Sequence, residues 1–252
     1  MKLTNQYGAP DVFIRAIEAD PYDRGEADFS VTGLLQPPQI TRLWKENEDL
    51  LTSDVRDEVW KLLGSGVHAV LEGHGDGTTE QRLFSEYEGI KISGAVDLVK
   101  DGHVTDYKVT SVYTTTRALK SDWESQLNLY AWLLEKNGTE VNRLTIVAIC
   151  RDWTKSRAGK NNYPNSPIVS IPVPLWSSER QERFVSQRVA IHTKEETTPC
   201  TDEERWMNDA GTKFARCEGW CPVSEFCSQW NQTPVLGRGG DSRGNSKERS
   251  NS

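Results

Sequence analysis

The sequence predicts an α/β protein, a mixed sheet flanked by helices. Two observations carry that prediction. Three strand-like runs follow one another, Arg82 to Glu88, Ile90 to Val99 and Val104 to Val109, the last two rich in β-branched residues. On either side stand apolar residues at helical spacing, and later an apolar run from Leu144 to Cys150 and a strand pattern at Ile168 to Val173. The order is helix, three strands, helix, strand, loop, strand, helix, which suits a sheet layered between helices.

The elements follow in chain order. Residues 1–29 are polar and irregular and give no clear element. Ser30 to Leu43 reads as a short entry segment that Pro37-Pro38 interrupts. Val55, Val59, Leu62, Leu63, Val67, Val70 and Leu71 recur at helical spacing, with Ser53 or Asp54 as N-cap and Gly73 as stop. His68 and Glu72 lie one turn apart on the flank of that stripe. Residues 76–81 read as a polar loop before the strands. Ser121 to Glu124 reads as a capping box opening a helix with the apolar face Leu127, Tyr130, Ala131 and Leu134. Lys136-Asn137-Gly138 ends it. Leu144 to Cys150 is apolar on both faces, as in a buried strand. A loop rich in Lys, Arg, Asn and Gly follows, and Pro172 marks Ile168 to Val173 as an edge. Ser178 to Gln181 reads as a second capping box, opening a helix to about Lys194.

This divides the chain into an N-terminal segment (1–52), a core (53–196), a cysteine-rich segment (197–235) and a tail (236–252) of Gly, Ser, Arg and Asn expected to be disordered. A length of 252 residues suits one large domain or one domain with an appendage. A net charge of −7 and a pI near 5.3 exclude nucleic-acid binding by charge alone. A nucleic-acid enzyme stays open, because carboxylates that hold a cation count as negative in that sum. The absence of a membrane-length apolar run and of a signal-peptide core makes the cytoplasm the expected compartment and a membrane no expected partner. Five cysteines, an odd number without a secretion signal, argue against a disulfide framework.

The chemistry concentrates at Lys100-Asp101-Gly102-His103. Asp-Gly is a strong signal for a two-residue hairpin turn. Lys100 then faces His103, and Asp97 falls opposite Asp106. Side chains alternate along a strand, so Asp106 and Lys108 share a face, with small Ala95 opposite Lys108. Opposed residues hold their Cβ atoms roughly 4.5–5.5 Å apart, and like charges there are destabilising. Two aspartates so placed call for a cation. Phosphodiester cleavage needs an activated water, a neutralised phosphate and a stabilised leaving oxygen, and a carboxylate-held divalent metal serves all three. Asp97, Asp106 and a backbone carbonyl of the last strand, that of Tyr107, would hold Mg²⁺ or Mn²⁺. Lys108 would orient or deprotonate the attacking water or stabilise phosphate charge.

Asp97 followed by Asp106-Tyr107-Lys108 resembles the PD-(D/E)xK nuclease core. Three more marks narrow the resemblance. Gly64 to Glu72 is similar to the helix that donates a metal-binding histidine in RecB-like exonucleases. Gln126-Leu127-Asn128-Leu129-Tyr130 is similar to that branch's Gln-x-x-x-Tyr signature. The C-terminal cysteines resemble the iron–sulfur motif of CRISPR-associated and AddB-type relatives. The pattern covers about residues 30–230 and looks most like a phage-encoded member. The resemblance implies a restriction-endonuclease-like core and metal ligation by His68, Asp97 and Asp106. It implies a catalytic role for Lys108, and Gln126 and Tyr130 contacting DNA or positioning active-site groups. It also implies a divalent-metal-dependent DNA exonuclease that leaves a 5′-phosphate in phage recombination, replication or DNA degradation in the host cytoplasm. A phage single-strand annealing or recombination protein is an expected partner. The alternatives are a structure-specific or nicking endonuclease and a non-catalytic DNA-binding or adaptor protein.

Cys217-x₃-Cys221-x₅-Cys227, with Cys200 upstream, offers four soft ligands suited to zinc or an iron–sulfur cluster. The resemblance favours iron–sulfur, although relatives often place a first cysteine before the histidine helix and Leu34 to Pro38 holds none. Either Cys200 substitutes for it or the cluster is absent, and Cys150 is expected in the core. Lys155, Arg157 and Lys160 are candidates to grip a phosphate backbone, though solvation alone explains a charged loop. Trp123, Trp132 and Trp153 are candidates to stack on bases or to fill the core. Glu86 is an acidic candidate that a surface strand face explains as well.

Overall fold

The structure is a computed structural model that describes residues 2–19, 25–208 and 210–233. The tail at 236–252 lies outside the described residues. The elements are β1 (Lys2–Thr4), α1 (Asp11–Glu18), β2 (Phe29–Ser30), α2 (Val31–Leu35), α3 (Pro38–Asn47), β3 (Thr52–Asp54), α4 (Val55–Glu72), β4 (Thr78–Tyr87) and β5 (Ile90–Lys100). They continue with β6 (His103–Thr110), α5 (Val112–Thr115), α6 (Ser121–Lys136), β7 (Arg143–Cys150), β8 (Ile168–Val173), α7 (Ser178–His192), α8 (Ala215–Gly219) and α9 (Ser228–Asn231).

The main sheet is built on β5. Along one edge β5 pairs antiparallel with β4, from Tyr87–Ile90 to Thr78–Val99. Its other edge is shared by two partners. Ile92 and Ser93 pair in parallel with Phe29 and Ser30 of β2, while Leu98 to Lys100 pair antiparallel with Thr105 to His103 of β6. Gly94 to Asp97 lie between them, so β5 carries a fork. β6 then runs parallel to β7 along its whole length, and β8 closes the sheet antiparallel to β7. The mixed sheet and the edge position of the Pro172 strand agree with the sequence reading.

A parallel β6–β7 pair needs a crossover, and α6 supplies it. Gln126 to Leu134 of α6 are all buried, and their apolar members join the main core with Val31 and Leu34 of α2. The close approach is set at Gly94. A Cβ there would meet Leu133 Cδ1 at 2.8 Å, Tyr130 Cε1 at 2.9 Å and Val31 Cγ2 at 3.0 Å. Gly94 therefore lets α6 rest on the strand next to the fork.

Helix α4 starts where expected. The Asp54 carboxylate accepts from the Arg56 N–H at 3.1 Å, and Gly73 ends the helix. The entry segment is two helices, α2 and α3, separated at Pro37. A second apolar cluster joins Ile40 of α3 and Leu51 to Val223, with Leu43, Cys200, Cys221 and Phe226 packed against them. The cysteine segment thus rests on α3.

Three local readings differ. Residues 78–81 belong to β4 rather than to a loop. Ser121 is the first residue of α6, whose N-cap Lys120 makes no side-chain cap. With Lys120 at the N-cap, Glu124 falls one place past the capping-box position, and its carboxylate accepts from the Trp176 indole N–H. The cap of α7 is Ser177, one residue earlier than expected, accepting from the Arg180 N–H at 3.4 Å.

Candidate active site

Asp101 at φ 49° and Gly102 at φ 73° form the turn between β5 and β6. That double positive φ is what an Asp-Gly hairpin turn requires. The register follows as expected: Lys100–His103, Val99–Val104, Leu98–Thr105. The ladder then ends, one step short of the expected Asp97–Asp106 pair. In its place the Asp97 Oδ2 accepts the Tyr107 backbone N–H at 2.7 Å. The side chain takes over a ladder position, and β6 leaves β5 to stay with β7.

His68 reaches this fork from α4. Its Nδ1 lies 3.5 Å from both Glu80 Oε1 and Asp97 Oδ1. Its Nε2 lies 3.0 Å from the Tyr107 carbonyl oxygen. With Nε2 protonated, the ring donates to that carbonyl and turns Nδ1 toward the carboxylates, the support a ligating histidine commonly receives. One ligand atom each from His68, Glu80 and Asp97 lies within 4.8 Å of the others.

Glu80 was missed at the sequence level because it fell in a supposed loop. It sits on β4 across from Asp97: Thr79–Leu98 and Gln81–Val96 pair on either side of it. Its φ of 45° marks a local departure from strand geometry. The available signal was Thr78-Thr79, a β-branched start that extends β4 back past Glu80. Glu86 is exposed and in register with Lys91, consistent with the surface reading.

Asp106 is 1% exposed. Lys108 Nζ lies 2.8 Å from its Oδ2 and 3.1 Å from its Oδ1. Burial pushes the Asp106 carboxyl up to about 6, although Lys108 pulls the other way. The Asp97 hydrogen bond, above all, holds His68 up at about 9. Burial first, and then the Asp97 charge, raise Glu80. Desolvated carboxylates crowded around an imidazole mark a site whose electrostatics a cation would settle.

On the other side of the fork, Gln126 Nε2 donates to Tyr130 Oη at 2.9 Å, one turn apart on α6. Gln126 and Lys108 share a groove of about 650 Å³ with Trp123, Trp206 and Arg216. The structure therefore brings His68, Asp97, Asp106, Tyr107, Lys108, Gln126 and Tyr130 to one strand fork. It does not bring Lys155, Arg157 or Lys160 into that groove. Arg157 stacks 4.4 Å from the Tyr163 ring, and Lys160 donates to the Ser156 carbonyl. Trp132 is core, and the Trp153 indole N–H donates to Pro164.

Cys200, Cys217, Cys221 and Cys227 line one small cavity of about 20 Å³, with Ile40, Leu43 and Val223 among its walls. Gln39 of α3 braces it. Its Oε1 accepts from the Cys200 N–H at 2.9 Å, and its Nε2 donates to Cys227 Sγ at 3.3 Å. Burial, reinforced by nearby Glu204 and the other three cysteines, pushes the Cys200 thiol up to about 12. Cys150 is buried at the end of β7.

A hairpin with Asp97 and Asp106-x-Lys108 at its fork, between a histidine helix and a glutamine–tyrosine helix, is the core of a nuclease of the restriction-endonuclease-like class. The family model of the PD-(D/E)XK nuclease superfamily matches residues 40–228, and the chain belongs to that superfamily. The solved structure of SSO0001 is similar over 86% of this chain and 95% of that one, at 18% identity and a TM-score of 0.56, which shows a shared fold. A phage related exonuclease from Haemophilus somnus 129PT is similar over 60% of this chain and 68% of that one, at 15% identity and a TM-score of 0.31. No curated protein shows a significant match to this chain. Among the described residues, no helix is long and apolar enough to cross a membrane.

Proposed function

We propose that the chain is a divalent-metal-dependent deoxyribonuclease acting as an exonuclease, by in-line attack of water on phosphorus with a 5′-phosphate product. The observation that carries the metal is the convergence of His68, Glu80 and Asp97 beside the Asp106–Lys108 pair. One imidazole nitrogen among carboxylate oxygens suits Mn²⁺ or Mg²⁺ better than a soft metal. His68, Glu80 and Asp97 would hold the ion, with Asp106 joining as its carboxylate exchanges Lys108 for it. When bound, the ion supplies phosphate charge neutralisation and a lowered water pKa. Tyr107 fixes the imidazole through its carbonyl and Asp97 through its N–H. Lys108, freed from Asp106 as an ammonium, orients the attacking water or holds the phosphate. Gln126, backed by Tyr130, contacts the strand from α6. The exonuclease assignment and a setting in phage recombination rest on the resemblance of the motifs.

Cys200, Cys217, Cys221 and Cys227 carry an iron–sulfur cluster in this reading. The resemblance of the cysteine motif favours a cluster over zinc, and Cys200 stands in for the cysteine that relatives place before the histidine helix.

Digestion of end-labelled linear and closed circular DNA with Mg²⁺, Mn²⁺ or chelator tests the reading. Linear DNA should be degraded from an end, circular DNA left intact, and chelator should stop the reaction. Cutting of the circle makes the protein an endonuclease. Binding without cleavage in either metal makes it a DNA-binding protein.

A further inference from the structure

Trp206 combines two features that packing does not reconcile. Its φ is 56°, the left-handed region that bulky residues rarely enter. Such strain persists where the surroundings impose it, and it gathers at functional positions. The surroundings here are a short bridge, Met207 to Phe214, and a hydrogen bond from the Ala215 N–H to the Trp206 carbonyl at 3.3 Å. Yet the residue so held is 44% exposed. A strained backbone that sets a large apolar ring in solvent does not serve the core.

The ring has a position instead. Trp206 and Arg216 both line the groove that holds Lys108 and Gln126. The Arg216 guanidinium lies 5.0 Å from the indole centroid, and its Nη2 is tied to Gln36 Oε1 at 2.8 Å. The same groove holds Trp123, with Lys120 Nζ 5.2 Å from its ring. Two indoles, each carrying a cation, therefore stand in one groove with the lysine of the fork. Aromatic faces with cations among them are what a strand with unpaired bases engages, whereas a duplex keeps its base faces stacked away.

We infer that Trp206 is a base-stacking residue that sets the affinity of this groove for unpaired DNA strands, and that the cysteine segment supplies this wall of it. The inference rests on the nuclease reading for the identity of the ligand as DNA. Trp206 and Arg216 lie between Cys200 and Cys217, so the cysteine site anchors the wall at both ends.

The test uses the full chain, a fluorescein-labelled oligo(dT) and a blunt duplex of equal length. Binding is read by anisotropy without divalent metal, and cleavage by steady-state kinetics in Mn²⁺. Glycine adopts positive φ without strain, so Trp206→Gly removes the ring while relieving the backbone. Its melting temperature should equal or exceed that of the wild type, while its affinity for oligo(dT) falls about tenfold and its KM rises to match. Its kcat at saturation should hold. Trp206→Phe should recover most of the affinity, and duplex binding should move by less than about twofold in either variant. Unchanged oligo(dT) affinity in Trp206→Gly, an equal loss for duplex, or a loss that tracks a fallen melting temperature overturns the inference. Wild-type protein that cleaves nothing but binds oligo(dT) through Trp206 sinks the nuclease reading and leaves this one standing. Failure to bind either DNA overturns this inference, and only if cleavage in Mn²⁺ is also absent does the nuclease reading fall with it.

Discussion

The Asp97 carboxylate accepts the Tyr107 backbone N–H at 2.7 Å, and this contact is where β5 and β6 part. One oxygen replaces a ladder partner, and the other faces His68. Asp97→Asn keeps an acceptor for Tyr107 but loses the charge. Asp97→Ala loses both and strands a backbone N–H. At pH above about 9, where His68 is neutral, the Asn variant should keep its thermal stability in chelator, and it should lose cleavage by about 100-fold or more. The Ala variant should also lose about 1–2 kcal/mol of stability. Thermal denaturation beside cleavage of end-labelled DNA in Mn²⁺ separates the two effects. Wild-type cleavage by the Asn variant would remove Asp97 from the site.

Glu80 reaches the same place from the opposite neighbour of β5. Glu80→Gln should weaken Mn²⁺ binding by about tenfold, measured by calorimetry, with little change in the fold. An unchanged Mn²⁺ affinity would make Glu80 a bystander of the cluster.

The contrast between Asp97 and Glu80 shows what sequence reasoning reaches. The β5–β6 turn was legible because Asp101-Gly102 has one strongly preferred geometry and fixes the register on both sides. The fork was not, because a side chain taking a backbone partner leaves no periodic trace. Glu80 was hidden by the polar start of β4 and by its own positive φ. His68, Gln126 and Tyr130 were legible through motif resemblance, since a lone histidine or tyrosine on a helix reads equally well as packing. Trp206 and Gln39 were not legible at all. Their placement depends on how the cysteine segment folds back on α3, which local pattern does not encode.

Lys108 is the counter-charge of a carboxylate that is 1% exposed. Lys108→Ala should abolish turnover while keeping DNA binding. It should also cost about 3 kcal/mol of apo stability by leaving Asp106 unpaired. Protonating Asp106 offsets that cost, so the loss should be larger at pH 8 than at pH 5. Adding Asp106→Asn should restore much of the stability without restoring activity. Urea titrations at the two pH values check this, and an equal loss at both would contradict the pairing.

The metal-free protein should also become less stable as pH rises. Asp106 at about 6 and His68 at about 9 both titrate above their usual values when folded. A raised folded-state value means that the native state holds the proton more tightly, so the stabilisation is present at low pH and lost as pH rises through that value. The Asp106 share is lost from about 4 to 6. The His68 share is lost from about 6.5 to 9. Melting temperature in chelator should fall across this second window, and His68→Ala should flatten the slope there. A profile that rises between these limits in wild type but not in His68→Ala would reverse the sign assigned to the imidazole.

The cysteine site allows a test that does not depend on cleavage. Cys200, Cys217, Cys221 and Cys227 line one cavity, and burial pushes the Cys200 thiol up to about 12. Four thiols in that position favour a bound metal, because ligation removes the protons and compensates the crowded charge. Protein purified without oxygen should be brown, with iron and acid-labile sulfide in comparable amounts. Cys200→Ser should bleach it and lower the melting temperature, since the segment would then hold to α3 through the Ile40–Val223 cluster and the Gln39 and Arg42 hydrogen bonds without the metal. Gln39→Ala should keep the colour but make it more sensitive to oxygen, because Gln39 braces Cys200 and Cys227 without joining the ligands. Colourless protein with one equivalent of zinc would reject the cluster. Brown protein whose iron survives Cys200→Ser would hand the fourth position to another ligand.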